Sequence, residues 1–284
     1  MIIDAHHHLW DPADRDHPWM DDSVAPIRRR FDTDDLRATG MPADTATIVV
    51  QAVHDPSETP WLLAQPAPVV GVVGWVDLTA PDVADQLAAL RTHEREDGPR
   101  LVGIRHQAHD EPDPDWLARP DVVAGVRALA AAGLPFDLLV RAREHAAAVT
   151  LVDAVPEAVF VLDHAGKPDI AHDDTDVAIA WRARMQDLAA RPNTTCKVSG
   201  LLTEAGPDWR DRPVARYVHE AVEAFGPDRS MWGSDWPVST LAADWRTVFD
   251  LASDALGDLS DDDRDAVFRG TADRVYLAGT PTQT

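Results

Sequence analysis

Cysteine is nearly absent. Cys196 stands alone among 284 residues, which excludes an internal disulfide framework and any cysteine-rich zinc site. Lysine is almost as scarce, with Lys167 and Lys197 the two in the chain and arginine supplying every other basic side chain. Positive charge as a whole is in deficit: 26 basic residues face 49 acidic ones, a formal net charge of −23. A field of that sign repels DNA, RNA and anionic lipid, so neither nucleic acid nor membrane is an expected partner. No apolar run approaches membrane-spanning length. The N-terminus lacks a basic segment leading into an apolar one, which makes the cytoplasm the expected location. The acidic residues cluster in stretches such as 32–35 and 261–263 and read as solvated surface.

Hydrophobic residues make up 45% of the chain, enough at this length for one large domain covering 1–284. Apolar, β-branched runs predict eight strands: the entry to residues 4–10, then 45–51, 69–77, 101–106, 134–140, 159–164, 194–200 and 230–237. Helices are expected between them, at 34–38, 58–65, 81–96, 121–132, 144–152, 176–190 and 213–225. Two more, at 241–255 and 261–275, close the chain. The long polar connection 11–30, with Trp19 in it, exceeds an ordinary turn and suits a lid.

The first strand carries the most information. Met1-Ile2-Ile3 leads into Asp4-Ala5-His6-His7-His8-Leu9-Trp10, and strand alternation puts His6 and His8 on one face with Asp4, and His7 on the other. Two histidines at that spacing can hold one divalent ion or donate two hydrogen bonds to one substrate oxygen. A tag remnant would not continue into Leu9-Trp10-Asp11-Pro12. Later strands also end on polar residues: Arg105-His106, Arg141, Asp163-His164, Lys197 and Asp235.

Eight strands alternating with helices over roughly 250 residues match a (β/α)8 TIM barrel with C-terminal helices. A doubly wound open sheet is the competing architecture. Only a closed barrel brings the first and last strand ends together, making His6 and His8 neighbours of Asp235 with His164 across from them. An open sheet would gather its site at one switch point.

The motifs Ile3-Asp4-Ala5-His6-His7-His8-Leu9-Trp10, Gly103-Ile104-Arg105-His106, Leu162-Asp163-His164-Ala165-Gly166-Lys167-Pro168, Cys196-Lys197-Val198-Ser199-Gly200 and Trp232-Gly233-Ser234-Asp235-Trp236-Pro237 occur in order over most of the chain. Together they resemble the amidohydrolase superfamily, and within it the amidohydrolase-2 group. Sugar lactonases and 2-pyrone-4,6-dicarboxylate lactonases are the members it looks most like. The resemblance implies a hydrolase that opens a small lactone, with Asp235 as the general base for water. It implies that His6 and His8 bind a metal or the substrate carbonyl, and that His164 is a third ligand or a polarising donor. A decarboxylase or hydratase on the same scaffold is the alternative, and a non-catalytic metal or sugar binder ranks last.

Binuclear members of the superfamily bridge two metals with a carboxylated lysine, often on the fourth strand. Here that strand ends in Arg105-His106, so one zinc-like divalent ion, or a metal-free mechanism, is expected. Substrate contacts are expected from Arg105, His106, Lys197 and Trp236, with at most one of Arg105 and His106 pointing inward. Asp4 is expected as a deeper hydrogen-bonding partner, Asp163 as facing away from His164, and His54, His109 and His172 as exposed. The expected partner is a small-molecule substrate, with a homo-oligomer left open.

Overall fold

A computed structural model describes residues 1–278. Eight strands form one sheet in chain order, every pairing parallel: β1 (Ile3–His7), β2 (Ala46–Val50), β3 (Val69–Gly74), β4 (Arg100–His106), β5 (Phe136–Leu138), β6 (Phe160–Leu162), β7 (Thr194–Val198) and β8 (Ser230–Trp232). The sheet closes through the segment after β8. Asp235 N–H donates to the His6 carbonyl (2.8 Å), and His8 N–H donates to the Trp236 carbonyl (2.7 Å). Gly233 permits this closure, since a Cβ there would lie 2.6 Å from His6 Cβ. The architecture is therefore the (β/α)8 barrel and not the open sheet.

Helices α1 (Thr33–Arg37), α2 (Glu58–Leu63), α3 (Val83–Arg91), α4 (Pro120–Ala131), α5 (His145–Ala154), α6 (Thr175–Ala189), α7 (Leu201–Glu204), α8 (Val214–Phe225), α9 (Trp245–Ala255) and α10 (Asp261–Asp265) surround it. Two π-helical turns, Ala266–Gly270 and Asp273–Leu277, extend α10. Strand residues facing outward, such as Phe136, Phe160, Cys196 and Trp232, pack with the helices in the larger apolar cluster. A smaller cluster of Ile3, Ala5, Ile48, Val50, Val73, Val102, Val161, Met231, Ala272 and Tyr276 lies apart from it.

Most predicted strands are longer than those observed, and two of them run past residues that matter. The expected strand 159–164 ends at Leu162, because His164 and Ala165 take left-handed backbone (φ 53° and 47°). The expected strand 230–237 ends at Trp232, with Asp235 also left-handed (φ 55°). Such conformations are disfavoured for side-chain-bearing residues and concentrate at functional sites.

Candidate active site

Alternation along β1 fails at one place. Its register against β2 shifts between Asp4 and His7, so Asp4 is not in phase with His6 as expected. Asp4 accepts from Trp245 Nε1 of α9 (2.9 Å) and from the Ser234 N–H (2.8 Å). It is the structural partner foreseen, on a different side of the strand. His7 bonds Thr47 Oγ1 (2.9 Å), and burial pushes its pKa down to about 3.

His6 and His8 converge. Their Nε2 atoms are 3.2 Å apart, and Asp235 Oδ1 lies 3.8 Å from the first and 3.5 Å from the second. His164 Nε2 is 4.0 Å from the same oxygen. Burial pushes His6 and His164 well below the usual histidine range and lowers His8, which favours the neutral form of all three rings. His8 Nδ1–H donates to the Val50 carbonyl (2.8 Å), leaving the lone pair on Nε2. Arg105 Nη1 is 3.3 Å from His6 Nε2, and a guanidinium only donates, so that nitrogen is bare too. His6 Nδ1 faces two groups, Asp163 Oδ1 at 3.4 Å and the Lys197 ammonium at 3.3 Å.

Two imidazole nitrogens and a carboxylate aimed at one point are a donor set that suits a divalent cation. A tetrahedral zinc ion with ligands at about 2.0–2.1 Å has ligand–ligand edges of about 3.3–3.4 Å. The three observed separations bracket that value, so His6, His8 and Asp235 fit a single divalent ion.

His164 is fixed from behind. Ser199 Oγ is 2.9 Å from its Nδ1, and a Cβ on Gly200 (φ +66°) would fall 2.6 Å from the same atom. Asp163, expected to face away, is instead buried beside it, because the left-handed turn breaks strand alternation. Its carboxylate meets Arg105 Nη1 (3.1 Å) and Lys197 Nζ (3.2 Å). Burial pushes the Asp163 carboxyl up, but Lys197, His6 and Arg105 outweigh that and hold it well below the usual range.

A cavity of about 480 Å³ opens above these groups. It is lined by His8, His164, Asp235 and Arg105 on one side and by Trp19, Lys167, Arg141 and Glu204 on others. Glu204 holds both Lys167 Nζ (2.6 Å) and Arg141 Nη1 (2.9 Å). Trp19 Nε1 donates to the Ala52 carbonyl (2.8 Å), pinning the 11–30 connection over the mouth.

Of the expected substrate contacts, Arg105 lines this cavity, while His106, Lys197 and Trp236 do not. Arg105 points inward, bonding both the side chain and the carbonyl of Gln51. His106 points outward by alternation and lies stacked between His54 and Trp116, at 3.9 Å from each. Trp75 Nε1 donates to His106 Nδ1 (3.2 Å), and Glu111 takes the other ring nitrogen (2.8 Å). Both nitrogens are used, so the His54–His106–Glu111 group has no lone pair for a metal on that ring. His54 and His109 are half-buried, against the expectation of exposure, while His172 is exposed as expected. Trp236 is buried and packs edge-on against Phe31 (5.3 Å). Lys197 is wholly buried beneath His6, with Nζ 2.5 Å from Asp137 Oδ2. The sequence reading missed Asp137, Gln51 and Glu204; an isolated carboxylate inside a short apolar strand, as in Phe136-Asp137-Leu138, was the available signal for the first.

The amidohydrolase family model Amidohydro_2 matches residues 3–277. The chain belongs to the amidohydrolase family. L-fucono-1,5-lactonases of Burkholderia ambifaria and Burkholderia multivorans are 36% and 38% identical to it, each alignment covering 99% of this chain and 97% of the relative. A solved Burkholderia multivorans amidohydrolase with bound zinc superposes with a TM-score of 0.87 at 36% identity, covering 97% of this chain and 99% of that one. This amidohydrolase thus has the family's barrel along its whole described length. Among its described residues, no helix is long and apolar enough to cross a membrane.

Proposed function

We propose that the protein hydrolyses a small lactone, with a sugar lactone as the substrate class. The observation that carries the reading is the convergence of Asp235 with the bare nitrogens of His6 and His8 at the floor of a polar cavity. The lactonase names of its relatives support the substrate class.

Opening a lactone requires water to lose a proton as it attacks the ester carbon, while the carbonyl oxygen gains negative charge. The Asp235 carboxylate takes the proton and returns it to the departing ring oxygen. His6, His8 and Asp235 would hold a divalent ion, which when bound would supply Lewis-acid polarisation and lower the pKa of water. With Ser199 donating to its Nδ1, His164 presents Nε2–H to the cavity and stabilises the oxyanion. Arg105 stays bound to Gln51 and Asp163 and adds a fixed positive charge behind His6. Arg105 lies near the end of β4, the strand on which binuclear members of the superfamily often carry a carboxylated lysine, and a guanidinium does not ligate metal, which favours one ion over two.

Arg105 Nη1 on His6 Nε2 also supports a second reading, in which the guanidinium already satisfies that lone pair and hydrolysis runs without metal. Proton release from a panel of sugar lactones, with and without chelator, separates the two. Turnover is expected to disappear on metal removal, return with zinc, and fall about 10²–10⁴-fold in Asp235→Asn. No turnover of any lactone, or full activity in Asp235→Asn, sinks the proposal. Activity that persists in chelator selects the metal-free reading.

A further inference from the structure

Below His6 the barrel interior carries charge where hydrocarbon would pack as well. Lys197, Asp137 and Asp163 are wholly buried, and Tyr276, from the last π-helical turn, is 4% exposed. Buried ions forfeit hydration, and replacing such clusters by apolar side chains is commonly neutral or stabilising. Stability alone therefore gives no reason for them.

Their order does. Tyr276 O–H donates to Asp137 Oδ1 (2.7 Å), and the other Asp137 oxygen takes Lys197 Nζ (2.5 Å). The same ammonium lies 3.2 Å from Asp163 Oδ1 and 3.3 Å from His6 Nδ1. Two donors thus compete around one edge of His6: the Lys197 ammonium, within hydrogen-bond distance of Nδ1, and the ring's own Nδ1–H, which Asp163 Oδ1 could accept, since that buried oxygen has no other hydrogen-bond partner. If the ammonium donates to Nδ1, the ring proton moves to Nε2 and the lone pair that faces the site is lost.

We propose that Tyr276 and Asp137, on the floor of the barrel, are positioning residues for His6, acting through Lys197 and Asp163. The proposal rests on the reading that His6 Nε2 is a working atom of the site. Asp137 draws the ammonium downward, and Tyr276 orients Asp137 for that task. Asp163 is then left to accept from His6 Nδ1–H, and Nε2 stays bare. Neither Tyr276 nor Asp137 lines the active-site cavity; Tyr276 borders a separate one at the opposite end, beside Arg100 and Val275. Effects of changing them reach substrate only through this chain.

Histidine-selective ¹⁵N NMR of the metal-free protein tests the tautomer directly, with the His6 signals assigned by their loss in His6→Gln. Wild type is expected to show His6 protonated at Nδ1 and bare at Nε2. Tyr276→Phe and Asp137→Asn are expected to populate the Nε2–H form. Zinc affinity, read by competition with a chromogenic chelator, should fall about tenfold or more in both, with kcat reduced and KM held. Should Asp137→Asn fail to fold, Tyr276→Phe removes one oxygen and no charge and decides alone. An Nε2–H His6 in wild type overturns the proposal, as does a Tyr276→Phe protein with the wild-type tautomer and zinc affinity. A wild type with the Nδ1–H tautomer but no lactone turnover sinks the functional reading and leaves this chain standing.

Discussion

Gly200 shows how much of the site hangs on single atoms. Its φ of +66° and its closeness to His164 Nδ1 leave no room for a side chain. Gly200→Ala adds a left-handed penalty of about 1–2 kcal/mol and pushes the His164 ring out of line. Activity is expected to fall by more than about tenfold because the ring is displaced, while the far-ultraviolet circular dichroism stays as in wild type. Equal activity in Gly200→Ala would remove His164 from the mechanism. At this scale the sequence was partly legible. His6, His8, His164 and Asp235 were chosen by type and motif, and the structure brings all four together. Arg105 and His106 separated inward and outward as strand alternation requires. Asp163 was misplaced because alternation presumes a strand, and nothing in Leu162-Asp163-His164-Ala165 announces a left-handed turn.

The elements that carry these residues are short, and their irregularities do the aiming. The phase shift in β1 frees Asp4 to tie β1 to α9 while His6 turns toward Arg105 and Lys197. The segment after β8 closes the barrel with backbone bonds on either side of Asp235, fixing the carboxylate relative to the histidines. Between β5, β6 and β7 the link is ionic, through Asp137, Lys197 and Asp163. Removing the cation leaves buried Asp137 with the Tyr276 hydroxyl alone and Asp163 with Arg105 as its one remaining cation, so Lys197→Met is expected to cost about 3–5 kcal/mol in denaturant unfolding. A loss below about 1 kcal/mol would mean the carboxylates are already protonated in the native state. The two carboxylates pull the pH dependence in opposite directions. Asp163 is held below its unfolded value, so its contribution is present above the ordinary aspartate pKa of about 4 and fades as pH falls through the folded value, whereas burial pushes Asp137 up to about 6, so it costs stability as pH rises from about 4 to about 6. That acid limb should flatten in Lys197→Met.

At the scale of the whole molecule, the barrel was legible from strand–helix alternation and from polar residues at so many strand ends. Strand lengths were not, since apolar content runs on into turns, as in the stretch 159–164. The interior was harder still. A lysine within Cys196-Lys197-Val198 suggested a ligand-facing role, yet whether a strand residue faces the mouth or the floor depends on strand tilt and stagger, which one sequence does not encode locally. The acidic surface and the interior are electrostatically separate matters. Net charge governs what the molecule repels, whereas Arg105 and Lys197 balance Asp137 and Asp163 within the barrel.

The central claim is that His6, His8 and Asp235 form one cation-binding point under the substrate cavity. A crystal grown with zinc and measured at the zinc absorption edge tests it most directly. A single anomalous peak is expected at about 2.0–2.2 Å from His6 Nε2, His8 Nε2 and Asp235 Oδ1. A peak on His54, His106 and Glu111 instead, or no peak in a protein that still opens lactones, would contradict it.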